Sequence, residues 1–158
     1  MNTDKDGLSS DDSIESVNIP NSSAKTGFHA NFILYVRDQK AASDFYAFVL
    51  GLQPTLNVPG MTEFTLGHGV VLGLMPEAGI RRLLGTKLPD PAAARGIPRS
   101  ELYLRVDDPD AMHARAARSG AMELSPMLVR DWGDRAAYSL DPDGHVLAFA
   151  APVGSNNG

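Results

Sequence analysis

The sequence predicts an α+β protein built from two tandem βαβββ modules, and three observations carry that prediction. The first is an internal repeat. Adding 70 to the residue number takes Asn31 to Glu101, Leu34 to Leu104, Val36 to Val106, Asp38 to Asp108 and Ala41 to Ala111. Adding 75 lays GVVLG at 69–73 onto GHVLA at 144–148, the self-similarity expected of a duplicated supersecondary unit. The second is periodicity: each repeat opens on a strand pattern, continues with an apolar stripe at helical spacing, and returns to short strands. The third is the DPDG turn at 141–144, which joins the apolar runs Ala136–Leu140 and His145–Ala150. Pro142 presets φ there, and Gly144 accepts the positive φ that closes a hairpin.

The elements follow in order. Residues 1–26 are polar, with Asp4, Asp6, Asp11, Asp12 and Glu15 against Lys5 and Lys25, and read as a flexible N-terminal tail. In the first module, 27–76, Ala30–Val36 is a strand and Asp38 caps a helix from Gln39 to Leu50. Ala42, Phe45, Tyr46 and Val49 form its apolar stripe, and Gly51 ends it. Strands are expected at Gln53–Val58, Met61–Leu66 and Gly69–Met75, with turns at Pro59-Gly60 and Gly67-His68-Gly69. Residues 77–99 read as a linker broken by glycine and proline, with one helical turn around Ile80–Leu84. The second module, 100–152, repeats the plan: strand Glu101–Val106, cap Asp108, Pro109 at the first helical position, and Gly120 at the end. Strand Met122–Val129, the Trp132 turn and the closing hairpin complete it, and 153–158 form a C-terminal tail.

Composition removes several function classes. The net charge is −5 and no basic face is apparent, which argues against nucleic acid as a partner. There is no cysteine, so disulfide, thiolate and cysteine-ligated zinc chemistry are excluded. No apolar run approaches the roughly 18 residues of a membrane span, and the N-terminus lacks signal-peptide character. A cytoplasmic protein without membrane association is the expectation.

The segments VRDQKAASDFYAFVLGL, ELYLRVDDPDAMHARAARSGA and WGDRAAYSLDPDGHVLAF resemble the vicinal oxygen chelate superfamily, over about residues 30–151. Glyoxalase I, extradiol dioxygenases and bleomycin-resistance proteins are members. The resemblance implies a curved eight-stranded half-barrel enclosing a cleft, often completed across a homodimer. Metal-using members carry one ligand on the first and last strand of each module, which here are Asn31, Gly73, Glu101 and Ala148. Gly73 and Ala148 have no donor atom and a neutral amide is a poor ligand, so neither a metal nor another cofactor is expected.

Strand alternation turns Asn31, Ile33 and Tyr35, and likewise Glu101, Tyr103 and Arg105, toward the cleft. Phe32, Leu34 and Val36, with Leu102, Leu104 and Val106, face the helices. Met75 and Val71 join the cleft around Gly73, while Val146, Ala148 and Ala150 leave a hollow at its other end. Trp132 either anchors its turn or walls the cleft, and the basic residues of 77–99 form either a solvated face or a rim for an anionic ligand. The leading function is metal-free capture of a small aromatic or amphipathic molecule between two subunits. Its contacts would be Asn31, Tyr35, Gly73, Met75, Tyr103, Trp132 and Ala148. The alternative is a metal-free isomerase or cyclase with Glu101 as general base and Arg105 stabilising an enolate. A metal-dependent lyase or dioxygenase comes third.

Overall fold

The structure, a computed structural model, describes residues 29–98 and 100–154. The N-terminal tail and most of the C-terminal tail read from the sequence lie outside the described residues. In chain order the elements are β1 (Ala30–Val36), α1 (Gln39–Leu50), β2 (Leu56–Val58), β3 (Met61–Gly67), β4 (Val70–Pro76) and α2 (Glu77–Leu84). Then come β5 (Glu101–Arg105), α3 (Pro109–Arg118), β6 (Met122–Val129), β7 (Asp134–Leu140) and β8 (Val146–Pro152). The repeated aspartates start the repeated helices. Asp38 Oδ1 accepts the Ala41 N–H and Asp108 Oδ1 the Ala111 N–H, both at 2.9 Å, satisfying donors that a helix start leaves open. Gly51, at φ 66, closes α1.

The eight strands form two open four-stranded sheets, ordered β1-β4-β3-β2 and β5-β8-β7-β6. Within each, the first strand pairs parallel to the last and the other pairings are antiparallel. β2 begins at Leu56 rather than Gln53, because Pro54 has no N–H to give the ladder. The segment after β4 departs furthest from expectation. Instead of a loose linker it holds the full helix α2, with 3₁₀ turns at Gly85–Lys87 and Pro91–Ala94. Glu77 in the first turn and Arg81 and Arg82 in the last suit the helix dipole. Ile80, 6% exposed, anchors it.

The two modules share one core. α1 buries Ala42, Phe45, Tyr46 and Val49 on Val36, Phe64, Leu72 and Leu74, and the cluster continues into Ala116, Leu147 and Phe149 of the second module. Leu34, Leu102 and Leu104 pack against it as their strand faces require. Phe32, on the same face, does not: it is 57% exposed and opens onto a cavity between the modules rather than onto a helix.

Polar ties cross the same boundary. The buried Tyr46 hydroxyl donates to Asp141 Oδ2 at 2.6 Å, and His145 Nδ1 lies 2.8 Å from that oxygen. The backbone N–H groups of Asp143 and His145 donate to Asp141 Oδ1. Arg37 Nε donates to Asp143 Oδ1 at 3.0 Å, and its Nη2 to the Pro142 carbonyl. Desolvation opposes charge on Asp141, but the bonds from His145 and Tyr46 outweigh it and hold its carboxyl below the ordinary value. Desolvation likewise opposes charge on His145, and the Asp141 carboxylate outweighs it, raising the imidazole.

Candidate functional site

The second sheet's open face is built on alanines. Register places Ala148 between Tyr103 and Tyr138, and Ala150 between Arg105 and Ala136. Ala136, Ala148 and Ala150 are all 0% exposed. The small residues therefore form a covered floor, where the sequence reading expected a hollow. Two strand spacings, on the order of 10 Å, separate β5 from β7, and only a floor of methyl groups lets side chains cross that width. Tyr103 and Arg105 do so. The Tyr103 hydroxyl donates to Asp134 Oδ2 at 2.8 Å, and Arg105 Nε donates to the same oxygen at 3.0 Å.

Trp132 borders this face. Its indole N–H donates to the Tyr103 hydroxyl oxygen at 3.0 Å, fixing the turn, while the residue stays 54% exposed beside the face. Arg130 adds a second guanidinium. It lies 5.0 Å from the Tyr138 ring centre and donates to the Ala136 carbonyl and to Ser125 Oγ. Asp134, Tyr138, Arg130 and Ser125 escaped the sequence reading. The DPDG hairpin held a signal for two of them, since its register puts Asp134 and Tyr138 on the face of Ala148.

The charges on this face are fixed by their bonds. The Tyr103 hydroxyl, then Arg105, hold the Asp134 carboxyl below its ordinary value against desolvation. Burial pushes the Tyr103 phenol up, the Trp132 bond opposes this, and Asp134 adds to the rise. Near neutral pH Asp134 thus accepts as a carboxylate and Tyr103 donates as a phenol. Arg105 spends one nitrogen on Asp134, its side chain is 66% exposed, and its terminal nitrogens make no hydrogen bond among the described residues. Glu101 raises Tyr138 electrostatically after burial has done so. Glu101 and Arg105 stand four residues apart on β5, about 13 Å between backbone positions.

The first sheet's face is quieter. Asn31 Nδ2 donates to Glu63 Oε1 at 3.3 Å. A Cβ on Gly73 would lie 3.1 Å from Ile33 and 3.3 Å from the Met61 sulfur, so the space beside it is already taken. Tyr35 and Met75 are register partners at the end of this face. Of the four strand positions compared with metal ligands, Asn31 offers an amide, Glu101 a carboxylate, and Gly73 and Ala148 nothing. Among the described residues no three His, Asp or Glu side chains come together as a metal-binding group.

Between the modules lies a cavity of about 1170 Å³, and of the sequence-predicted site residues it gathers Tyr35, Glu101 and Tyr103. Asn31, Gly73, Met75, Arg105, Trp132 and Ala148 do not line it. One further grouping mimics a hydrolytic triad: His113 joins Ser139 Oγ at 3.1 Å and Glu123 at 2.7 Å. Ser139 is only 1% exposed. It pins α3 to the sheet and is closed to any substrate.

Comparison with known proteins agrees with this architecture. The family model of the Glyoxalase/Bleomycin resistance protein/Dioxygenase superfamily matches residues 28–149. An uncharacterized protein of Mycobacterium bovis is 30% identical over 124 residues, covering 76% of this chain and 80% of its own. A Mycobacterium tuberculosis protein is equally similar over 76% of this chain and 72% of its own. Among solved structures, a glyoxalase/bleomycin resistance protein/dioxygenase from Nocardioides superposes with a TM-score of 0.64 at 25% identity, covering 82% of this chain and 87% of its own. A family enzyme from Burkholderia phytofirmans gives 0.65 at 18% identity, over 80% and 99%; at that identity only the fold is shared. No helix among the described residues is long and apolar enough to cross a membrane.

Proposed function

The chain belongs to the glyoxalase/bleomycin resistance protein/dioxygenase superfamily, and from that premise we propose that it binds a small aromatic molecule on the open face of its second sheet, without metal. The Trp132–Tyr103–Asp134–Arg105 network carries this reading. It holds a half-exposed indole and a guanidinium with free donors in fixed positions, as a preorganised binding surface requires. A carboxylate on the ligand would take the two free Arg105 nitrogens while its ring stacks on Trp132. The donor set at Asn31, Gly73, Glu101 and Ala148 does not fit a tightly held cation, so no step runs through one. The isomerase alternative is less favoured, because Arg105 is committed through Nε to Asp134 rather than paired with Glu101. We place a second protomer over the face, its first sheet completing the cleft. Ile33 at 40%, Leu56 at 38% and Val58 at 45% exposure give that sheet an apolar surface to offer.

Trp132 is the only tryptophan, so its emission reports the site directly. Titration with 4-iodobenzoate should quench it saturably, and Arg105→Gln should weaken binding by about tenfold, the loss of one charge-assisted pair. Quenching that never saturates, or that ignores Arg105→Gln, overturns the reading. A monomer by light scattering at micromolar concentration removes the two-chain cleft.

A further inference from the structure

We propose that the cavity between the modules is a second binding site, taking a molecule with an apolar body and one cationic head, with Glu77 as counter-ion. It shares Tyr103 with the Trp132 network, but its cation recognition is assigned to Glu77 and stands whether or not that network binds a ligand.

The cavity holds about 1170 Å³, ample for a small ligand. Its walls are the edges of β1 and β5, which the two sheets leave unbonded to each other. Leu34 and Leu104 give it an apolar depth, and the segment from Leu88 to Ile97 roofs it. Phe32 and Ile97, 57% and 68% exposed, turn large apolar surfaces toward it. The roof is fastened by glycine. Gly144 (φ 93) and Gly96 (φ 75) approach so closely that a Cβ on Gly144 would come within 2.7 Å of the Gly96 Cα.

The charges decide the ligand class. Among the described residues the titratable lining groups are Glu77, Asp90, Glu101, Asp143, His145 and the phenols of Tyr35 and Tyr103, with no lysine or arginine among these. Asp143 is paired with Arg37 at 3.0 Å, Asp90 with Arg81 at 4.0 Å, and His145 with Asp141 at 2.8 Å. Glu101 is exposed to water. That leaves Glu77, half-buried and without a hydrogen bond or ion pair among the described residues. Burial, then the charges of Asp143 and Asp90, push its carboxyl up, while Arg37 and His145 pull the other way. A cation entering here relieves that repulsion, whereas an anion meets four carboxylates. None of the described basic residues of the 77–99 segment lines this cavity, so none of them makes it a site for anions.

The probes are decylamine, whose ammonium is charged near neutral pH as a lysine's is, decanoate and decanol, titrated calorimetrically into the full chain below their aggregation concentrations. One decylamine should bind per chain, and decanoate at least tenfold more weakly. Glu77→Gln should weaken decylamine about fivefold or more while leaving decanol unchanged, which also certifies the fold. Decanoate binding as tightly as decylamine, no binding by any probe, or indifference to Glu77→Gln overturns the proposal. So does a tenfold gain in decylamine affinity on deleting residues 1–28, which would make the chain's own N-terminus the occupant. Displacement of a second protomer by decylamine would equally assign the cavity to self-association.

Discussion

Position for position, Ile33, Met61 and Glu63 around Gly73 in the first sheet correspond to Tyr103, Ala136 and Tyr138 around Ala148 in the second. One scaffold thus carries two different surfaces. In the first, branched and thioether side chains close over the glycine, and the polar contacts are the exposed Asn31–Glu63 bond and a long hydroxyl contact between Thr65 and Thr55. In the second, alanines on β7 and β8 keep the floor low, and phenol and guanidinium groups cross it to meet Asp134. The lesson concerns residue size on the middle strands. A duplicated sheet becomes a candidate site where its centre is small enough for edge-strand side chains to converge.

Below those faces the modules are not independent, and the largest predicted effect tests that. Phe64 and Phe149 are both fully buried in a single cluster. Each Phe→Ala change should cost roughly 3–5 kcal/mol and shift one cooperative denaturant transition. Two separated transitions, with only one moved by each variant, would mean that the faces sit on separately folding halves.

The next effect is at the polar joint. Tyr46→Phe removes the donor to buried Asp141 and should cost roughly 1–3 kcal/mol. The same joint sets a pH dependence. Asp141 titrates below its ordinary 3.8 when folded, so its contribution is present above that value and lost as pH falls through the folded one. His145 titrates above its ordinary 6.5, so its contribution is complete below 6.5 and lost as pH rises through the folded value. The pair therefore stabilises most between about 3.8 and 6.5. Melting temperature should decline on the alkaline side of that window, and His145→Gln should flatten the decline. An unchanged alkaline arm in that variant would remove His145 from the joint.

What the sequence disclosed and what it hid divide along physical lines. α1 appears with the bounds Gln39–Leu50 and the cap that the pattern predicts, and β6 with the bounds Met122–Val129. Caps, helical stripes and strand alternation act within a few residues and are visible without a fold. α2 was legible only as a turn around Ile80–Leu84, because the glycine and proline breaks in the second half of 77–99 marked the segment as a linker, while the contact that anchors the full helix, buried Ile80, is tertiary. Arg105 was placed correctly on its strand, yet its partner Asp134 lies 29 residues away. Finding that partner needs the register of three strands and the size of the alanines between them. The cavity was illegible for the same reason: it exists only between modules.

The smallest effects separate the two faces most directly. Tyr103→Phe keeps the ring on its floor but removes one hydroxyl that serves both Asp134 and Trp132. Because the site is partly open to water, the released groups can be hydrated, and the stability cost should not exceed about 1 kcal/mol. The informative readout is spectroscopic. Freed from its acceptor, the Trp132 indole should become more mobile, with lower emission anisotropy and easier quenching by iodide. Asn31→Ala in the first sheet deletes a comparable count of polar atoms, but its 3.3 Å bond to Glu63 is exposed. Such surface changes fall within about 0.5 kcal/mol, and within one chain no hydrogen bond among the described residues joins Asn31 to Trp132. If Asn31→Ala alters Trp132 emission as much as Tyr103→Phe does, the two faces communicate. In a dimer whose first sheet covers its partner's second, that is the outcome the completed cleft requires. An effect confined to Tyr103→Phe restricts the network to one chain.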